Sequence, residues 1–118
     1  MRALVWGLAL AIAASATRVS AHAVLTKTSL RNAPLKANAT ASVVLTFNTG
    51  IEAGFTEVVL RSDGPDRKLS VGAGEQPSQV VVTLPPLPQG IYALRYKVLA
   101  TDGHVTEGVQ RFQVAPAE

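Results

Sequence analysis

The chain has 118 residues, with 11 Lys and Arg against 8 Asp and Glu, and it has no cysteine. The lack of cysteine excludes thiolate metal sites and leaves stability to packing rather than to disulfides. Removing Arg2 and Arg18 with the first 21 residues takes the basic count from 11 to 9 against 8 acids, and no basic stripe with interleaved aromatic residues remains. This charge pattern excludes a nucleic-acid-binding surface.

The first 21 residues have the pattern of a secretory signal peptide. Arg2 precedes an apolar run over residues 3–16, and Val19 and Ala21 occupy the −3 and −1 positions of a cleavage site after Ala21. The apolar run is shorter than the roughly 17–25 residues that a membrane span needs. The sequence therefore predicts a signal peptide over residues 1–21 and a mature domain over residues 22–118. The alternative is an uncleaved apolar anchor, which would leave His22 an ordinary internal residue.

The mature segment suits one domain and has the pattern of an all-β protein. Short runs of alternating or β-branched apolar residues recur between turns rich in Gly, Pro, Asn and Asp, and no long stretch repeats at helical spacing. Seven strands are predicted, at residues 23–28, 41–47, 56–61, 68–71, 79–84, 91–99 and 109–114. This spacing predicts a seven-stranded antiparallel Greek-key β-sandwich, immunoglobulin-like or cupredoxin-like. In the strand over residues 91–99, Tyr92, Leu94, Tyr96 and Val98 share one face, and we interpret both tyrosines as core or corner residues without a chemical role.

The first residue after the predicted cleavage site is a histidine. His22 would then offer its free amine and its ring Nδ1 to one ion, closing a six-membered chelate. An internal histidine has an amide in place of the amine and cannot form this chelate. The metal-binding interpretation of His22 thus depends on cleavage after Ala21.

The second histidine lies close to a carboxylate at a predicted strand end. In Asp102-Gly103-His104 the two side chains are separated by one residue, and in extended backbone positions i and i+2 face the same way. The intervening glycine permits tight curvature around an ion. The simpler alternative is that Asp-Gly is only a turn and that each histidine is a surface or hydrogen-bonding residue.

Together these groups provide three nitrogens and one carboxylate oxygen. The only methionine is Met1, so the mature chain has no sulfur ligand, which disfavours Cu(I). An N/O set of this kind suits one tetragonal Cu(II) ion, which the Irving–Williams order places above Ni(II) and Zn(II). The predicted metal ligands are His22, Asp102 and His104.

Several short motifs, taken in order, resemble the CopC family of periplasmic copper-resistance proteins. They are His22-Ala23-Val24-Leu25, Leu45-Thr46-Phe47 with Phe55-Thr56-Glu57-Val58, Leu87-Pro88-Gln89-Gly90-Ile91-Tyr92, and Asp102-Gly103-His104 with Gly108. The resemblance spans nearly the whole mature chain. It implies a small β-sandwich in the periplasm that binds one Cu(II) through the amino-terminal amine, His22, Asp102 and His104.

The chain departs from the family pattern at three places. It lacks the methionine-rich Cu(I) site of some relatives, which implies a Cu(II)-only version. Asn48-Thr49 stands where several relatives have an acidic residue, and Tyr96 and Ala100 stand where the family often has Trp and Ser. The changes at Tyr96 and Ala100 concern packing and hydrogen bonds around the ligands. Glu52 is expected to be solvated or to lie near the metal loop.

The predicted function is sequestration or delivery of Cu(II) in the periplasm, with no enzymatic activity. The resemblance implies an inner-membrane CopD-like copper transporter as a partner, and we expect a monomer that binds no nucleic acid. One alternative is a small copper oxidase with an amino-terminal histidine brace, similar to the lytic polysaccharide monooxygenases. Another is an immunoglobulin-like interaction module without metal.

Overall fold

The computed structural model describes residues 22–117, and the predicted signal peptide lies outside the described residues. In this part of the chain, nine strands form two sheets. The strands are β1 Leu25–Thr28, β2 Leu35–Lys36, β3 Ala41–Phe47, β4 Glu57–Arg61, β5 Arg67–Lys68, β6 Ser70–Ala73, β7 Gln79–Leu84, β8 Gly90–Leu99 and β9 Val105–Ala115. Two short 3-10 helices cover Ser29–Arg31 and Ala53–Phe55. No described helix has the length and apolar character needed to cross a membrane.

The first sheet has the strand order β1-β3-β7-β6 and is antiparallel. Alternate residues of β3 are buried, at Val43, Leu45 and Phe47, and Val80 and Val82 of β7 are fully buried opposite them. This period-2 pattern, with β-branched residues on the buried face, is why these segments form strands that cover a core.

The second sheet has the order β2-β9-β8-β4-β5. Leu94, Tyr96 and Val98 of β8 are buried and the intervening Arg95 and Lys97 are exposed, which confirms the predicted inward face of this strand. β8 and β9 pair antiparallel without a register shift from Gly90↔Val114 to Leu99↔Val105. This long hairpin carries the loop 100–104 at one end of the sandwich.

The all-β, two-sheet prediction is confirmed, and strands 41–47 and 79–84 have the predicted bounds. Residues 22–117 form nine strands where seven were predicted. The predicted strand 68–71 is divided at the buried Leu69 between β5 of one sheet and β6 of the other. β2 was missed because it has only two residues. The Greek-key connectivity remains a prediction.

Glycine is required inside β9 by a buried tyrosine. A Cβ at Gly108 would overlap Tyr96, which lies opposite it in β8. Tyr96 also packs edge-on against Phe47, with ring centroids 5.5 Å apart, and so joins the two sheets. Gly108 therefore fits the sheet because its missing side chain makes room for the Tyr96 ring.

Candidate metal centre

The loop that follows β8 is a tight, hydrogen-bonded turn. The Ala100 N–H donates to the His104 carbonyl at 2.8 Å, and the Gly103 N–H donates to the Ala100 carbonyl at 2.9 Å. Gly103 has φ +95°, which L side chains rarely adopt, so a residue without Cβ is needed there. The predicted role of Gly103 in tight curvature is consistent with this geometry.

Asp102 and His104 contact each other twice across this turn. The His104 backbone N–H donates to Asp102 Oδ1 at 3.0 Å, and His104 Nδ1 lies 3.2 Å from Asp102 Oδ2. The backbone hydrogen bond first, and then the hydrogen bond from the His104 ring, hold the pKa of the Asp102 carboxyl below its usual value. The carboxylate and the imidazole converge as predicted. The reason differs from the prediction, because they converge through an Asx-type turn and not through extended backbone.

His22 lies on the same end of the sandwich as His104. The centroids of the two imidazole rings are 6.4 Å apart, and the ring planes are inclined by 58°. His22 and His104 are both exposed. The fold therefore brings together two histidines that are 82 residues apart in the sequence.

The position of His22 is set by the two residues that follow it. Ala23 is buried, and its N–H donates to Thr106 Oγ1 on β9 at 3.3 Å. The Val24 N–H donates to Asn48 Oδ1 at 2.8 Å, and the Asn48 N–H donates to the Val24 carbonyl at 3.0 Å. These contacts attach the segment to both sheets, because Asn48 follows β3 and Thr106 belongs to β9. His22 is consequently held within reach of His104.

The separation of the rings fits one shared transition-metal ion. An imidazole nitrogen binds such an ion at about 2 Å, and the ring centre lies about 1 Å behind it, so two rings on opposite sides of one ion have centroids about 6 Å apart. Within residues 22–117, no group of three or more His, Cys, Asp or Glu side chains is placed to hold a metal. Side chains of these types therefore supply fewer than three donors at any one place in the described residues.

Glu52 is attached by its backbone to the end of β8, beside loop 100–104. Its N–H donates to the Leu99 carbonyl at 2.8 Å, and the Thr101 N–H donates to the Gly50 carbonyl at 3.0 Å. The Glu52 side chain is exposed and belongs to no metal-binding group among the described residues. The segment around Glu52 thus supports the loop through main-chain hydrogen bonds.

Sequence reasoning missed Asn48 and Thr106 as the residues that position His22. In the sequence, Asn48 stands out only as a replacement for an acidic residue of the family. The signal that could have found it was its place directly after a strand that pairs with the amino-terminal strand, where an amide can bond to a neighbouring backbone. Nothing in the sequence indicated Thr106, because that contact links residues 83 positions apart.

Comparison with known proteins agrees with the resemblance to the CopC family seen in the sequence. The CopC domain model matches residues 25–115, which include Asp102 and His104 and begin three residues after His22. CopC from Methylosinus trichosporium OB3b is 24% identical with a TM-score of 0.63, over 82% of this chain and 97% of that one. PcoC from Escherichia coli, a methionine-rich copper resistance protein, is 23% identical with a TM-score of 0.60, over 80% of this chain and 99% of that one.

At these identities the structural likeness shows the fold alone. No curated protein matches the sequence. The family model itself covers most of the chain, from the first strand to the last residue of β9. The chain belongs to the CopC family.

Proposed function

We propose that this protein binds one Cu(II) ion at the end of the sandwich formed by loop 100–104 and the amino-terminal segment. The ligands are the amine and the ring of His22, the ring of His104 and the carboxylate of Asp102. The observation that carries the proposal is the 6.4 Å separation of the His22 and His104 rings, because it suits two imidazoles on one ion. The names of the similar structures, CopC and the copper resistance protein PcoC, support copper as the metal.

The chemistry of the donors favours Cu(II) over Cu(I). Residues 22–118 contain neither cysteine nor methionine, so every available donor is nitrogen or oxygen. Such donors suit Cu(II), whereas soft sulfur donors select Cu(I). Residues 22–118 therefore differ from the methionine-rich relative PcoC in having no methionine donor.

Asp102 contributes to the site through its contact with His104. When His104 Nδ1 donates to Asp102, the lone pair of Nε2 is left free for a metal, an arrangement that commonly orients metal-binding histidines. Each carboxylate oxygen already accepts from His104 and keeps a second lone pair, through which Asp102 would serve as the fourth donor. The negative charge of Asp102 offsets part of the charge of Cu(II).

We propose that the protein works in the periplasm after cleavage between Ala21 and His22. There it sequesters copper or delivers it to an inner-membrane CopD-like transporter. All four donors come from one chain, so the monomer is the copper-binding unit. The function is binding and transfer of the metal, and copper-dependent oxidation is not part of it.

Copper titration of the chain that begins at His22 tests this proposal. We expect one equivalent of Cu(II) per chain, with more than tenfold loss of affinity in His104→Ala in competition with a chelator. Glu75→Ala is the matched control, because Glu75 is exposed at the β6–β7 turn and is not a proposed ligand. Equal copper affinity in His104→Ala and Glu75→Ala contradicts the proposal. Sustained peroxide production with ascorbate would favour a copper oxidase instead.

A further inference from the structure

Strand β9 has an unpaired edge over most of its length. It pairs with β8 along its whole inner side, whereas β2 pairs with it only at Val114 and Ala115. Among the residues that the structure describes, no strand pairs with this outer edge over residues 105–113. An open edge of this length presents a row of backbone donors and acceptors to another strand.

The hydrogen-bond pattern shows which residues face the open edge. The Ala100 N–H donates to the His104 carbonyl, and the register continues from there into β9 without a shift. In an antiparallel pair, only alternate residues direct their backbone N–H and C=O groups at the partner strand. The backbone groups of the even-numbered residues of β9 therefore bond to β8, and those of the odd-numbered residues face the open edge. Two contacts agree with this assignment, because the backbone carbonyls of two odd-numbered residues accept from groups outside β8. The Ala37 N–H donates to the Ala115 carbonyl, and the Gln110 side chain donates to the Arg111 carbonyl.

The outward-facing residues are self-complementary about the midpoint of the open edge. The midpoint of residues 105–113 is Val109, whose side chain is 55% exposed. When a second copy pairs antiparallel about Val109, each Glu107 lies directly opposite the Arg111 of the other copy. Opposite charges directly across two strands stabilise their pairing, and like charges destabilise it.

We propose that two copies of this chain associate reversibly through β9, paired antiparallel about Val109, and join their five-stranded sheets into one continuous sheet. The contact is isologous, because both copies use the same residues. Each copy exchanges backbone hydrogen bonds at Glu107, Val109 and Arg111. The Gln110 side chain, which bonds to the Arg111 carbonyl at 2.9 Å, must move away.

The charges in the middle of this edge allow a second copy to pair with it and do not prevent that pairing. Charged residues commonly prevent edges from pairing, and a run of lysines in β9 would repel a second copy. Here the two charges have opposite sign and lie at equal distances from Val109, so antiparallel pairing brings together unlike charges. A single pair of strands makes a small interface, so we expect weak association that depends on concentration.

Sedimentation of the metal-free protein from micromolar to millimolar concentration tests the proposal independently of copper binding. We expect a monomer–dimer equilibrium. Both Glu107→Arg and Arg111→Glu should weaken it about 30-fold, because each variant places two pairs of like charges in the dimer. Combining the two substitutions exchanges the charges and should restore the dimer.

Glu57→Arg is the matched control. Glu57 and Glu107 flank Lys97 from β4 and β9, so both substitutions remove an acid beside the same lysine, and only Glu107 is at the open edge. Val109→Pro provides a second test, since it removes an outward N–H and spares the ladder with β8. It should abolish association in a folded protein. A native chain that stays monomeric at millimolar concentration, or a double variant that does not recover, overturns the proposal.

Discussion

Replacing Asn48 with alanine should weaken copper binding although Asn48 is not a proposed ligand. The Asn48 side chain accepts a hydrogen bond from the Val24 N–H at 2.8 Å, and this contact helps to hold His22 beside His104. In Asn48→Ala this acceptor is lost. The Ala23 N–H stays bonded to Thr106, and the backbone N–H of residue 48 stays bonded to the Val24 carbonyl, so at most about one residue of backbone regains its freedom in the metal-free protein.

The expected loss of copper affinity follows from the free-energy cost of ordering that residue again when copper binds. Fixing one residue of backbone costs about 1–2 kcal/mol, which corresponds to a loss of copper affinity of about 5- to 30-fold. The hydrogen bond itself contributes about 0.5–1.5 kcal/mol to stability, and a drop of that size in the free energy of unfolding should accompany the substitution. Chelator competition and urea denaturation measure these two effects.

Asn48→Asp is the informative control, because it keeps an oxygen in place for the Val24 N–H. It should retain most of the copper affinity. Unchanged copper affinity in Asn48→Ala would contradict this prediction, since His22 would then reach the metal without the contact to Asn48. Equal losses in both variants would also refute it, because the acceptor oxygen would not be the cause.

Three further predictions concern stability and pH. Gly108→Ala should lower the free energy of unfolding by about 1–3 kcal/mol in urea denaturation, because the new methyl group overlaps Tyr96; unchanged stability would contradict the packing described for this pair. Gly103→Ala should cost about 1–3 kcal/mol in the same assay, because φ is +95° there, and should also weaken copper binding by displacing His104; full copper affinity would contradict this. Burial raises the pKa of Tyr96, so the folded state keeps a proton that the unfolded state loses above about pH 10, and stability should fall as pH rises through this range. In Tyr96→Phe the melting temperature should fall less steeply as pH rises above about 10. A fall identical to that of the unchanged protein would contradict the assignment of this pH dependence to Tyr96.

The strands that sequence reasoning predicted best are those whose alternate residues form one continuous apolar face. β3 and β7 have apolar residues on one face throughout, and their predicted bounds agree with the structure. The division of residues 67–73 into β5 and β6 depends on Leu69 entering the core between the two sheets. That is a tertiary contact, and no local pattern encodes it.

The candidate site was predictable in its residue types and only partly in its geometry. The short spacing of Asp102 and His104 indicated that they converge, and the glycine between them indicated a turn. The approach of His22 depends on Asn48 and Thr106, which are far from it in sequence, and only the fold brings them together. Long-range contacts of this kind explain why the sequence indicated the candidate ligands and not the residues that position His22.

The central claim is that the amine of His22 binds copper together with the His22 ring. The most direct test compares the chain that begins at His22 with the same chain carrying one additional glycine before it, by chelator competition and electron paramagnetic resonance of the Cu(II) complex. We expect at least a hundredfold loss of copper affinity and a changed nitrogen pattern in the extended chain, because the amine becomes an amide and the six-membered chelate cannot form. Identical affinity and spectra for the two chains would contradict it.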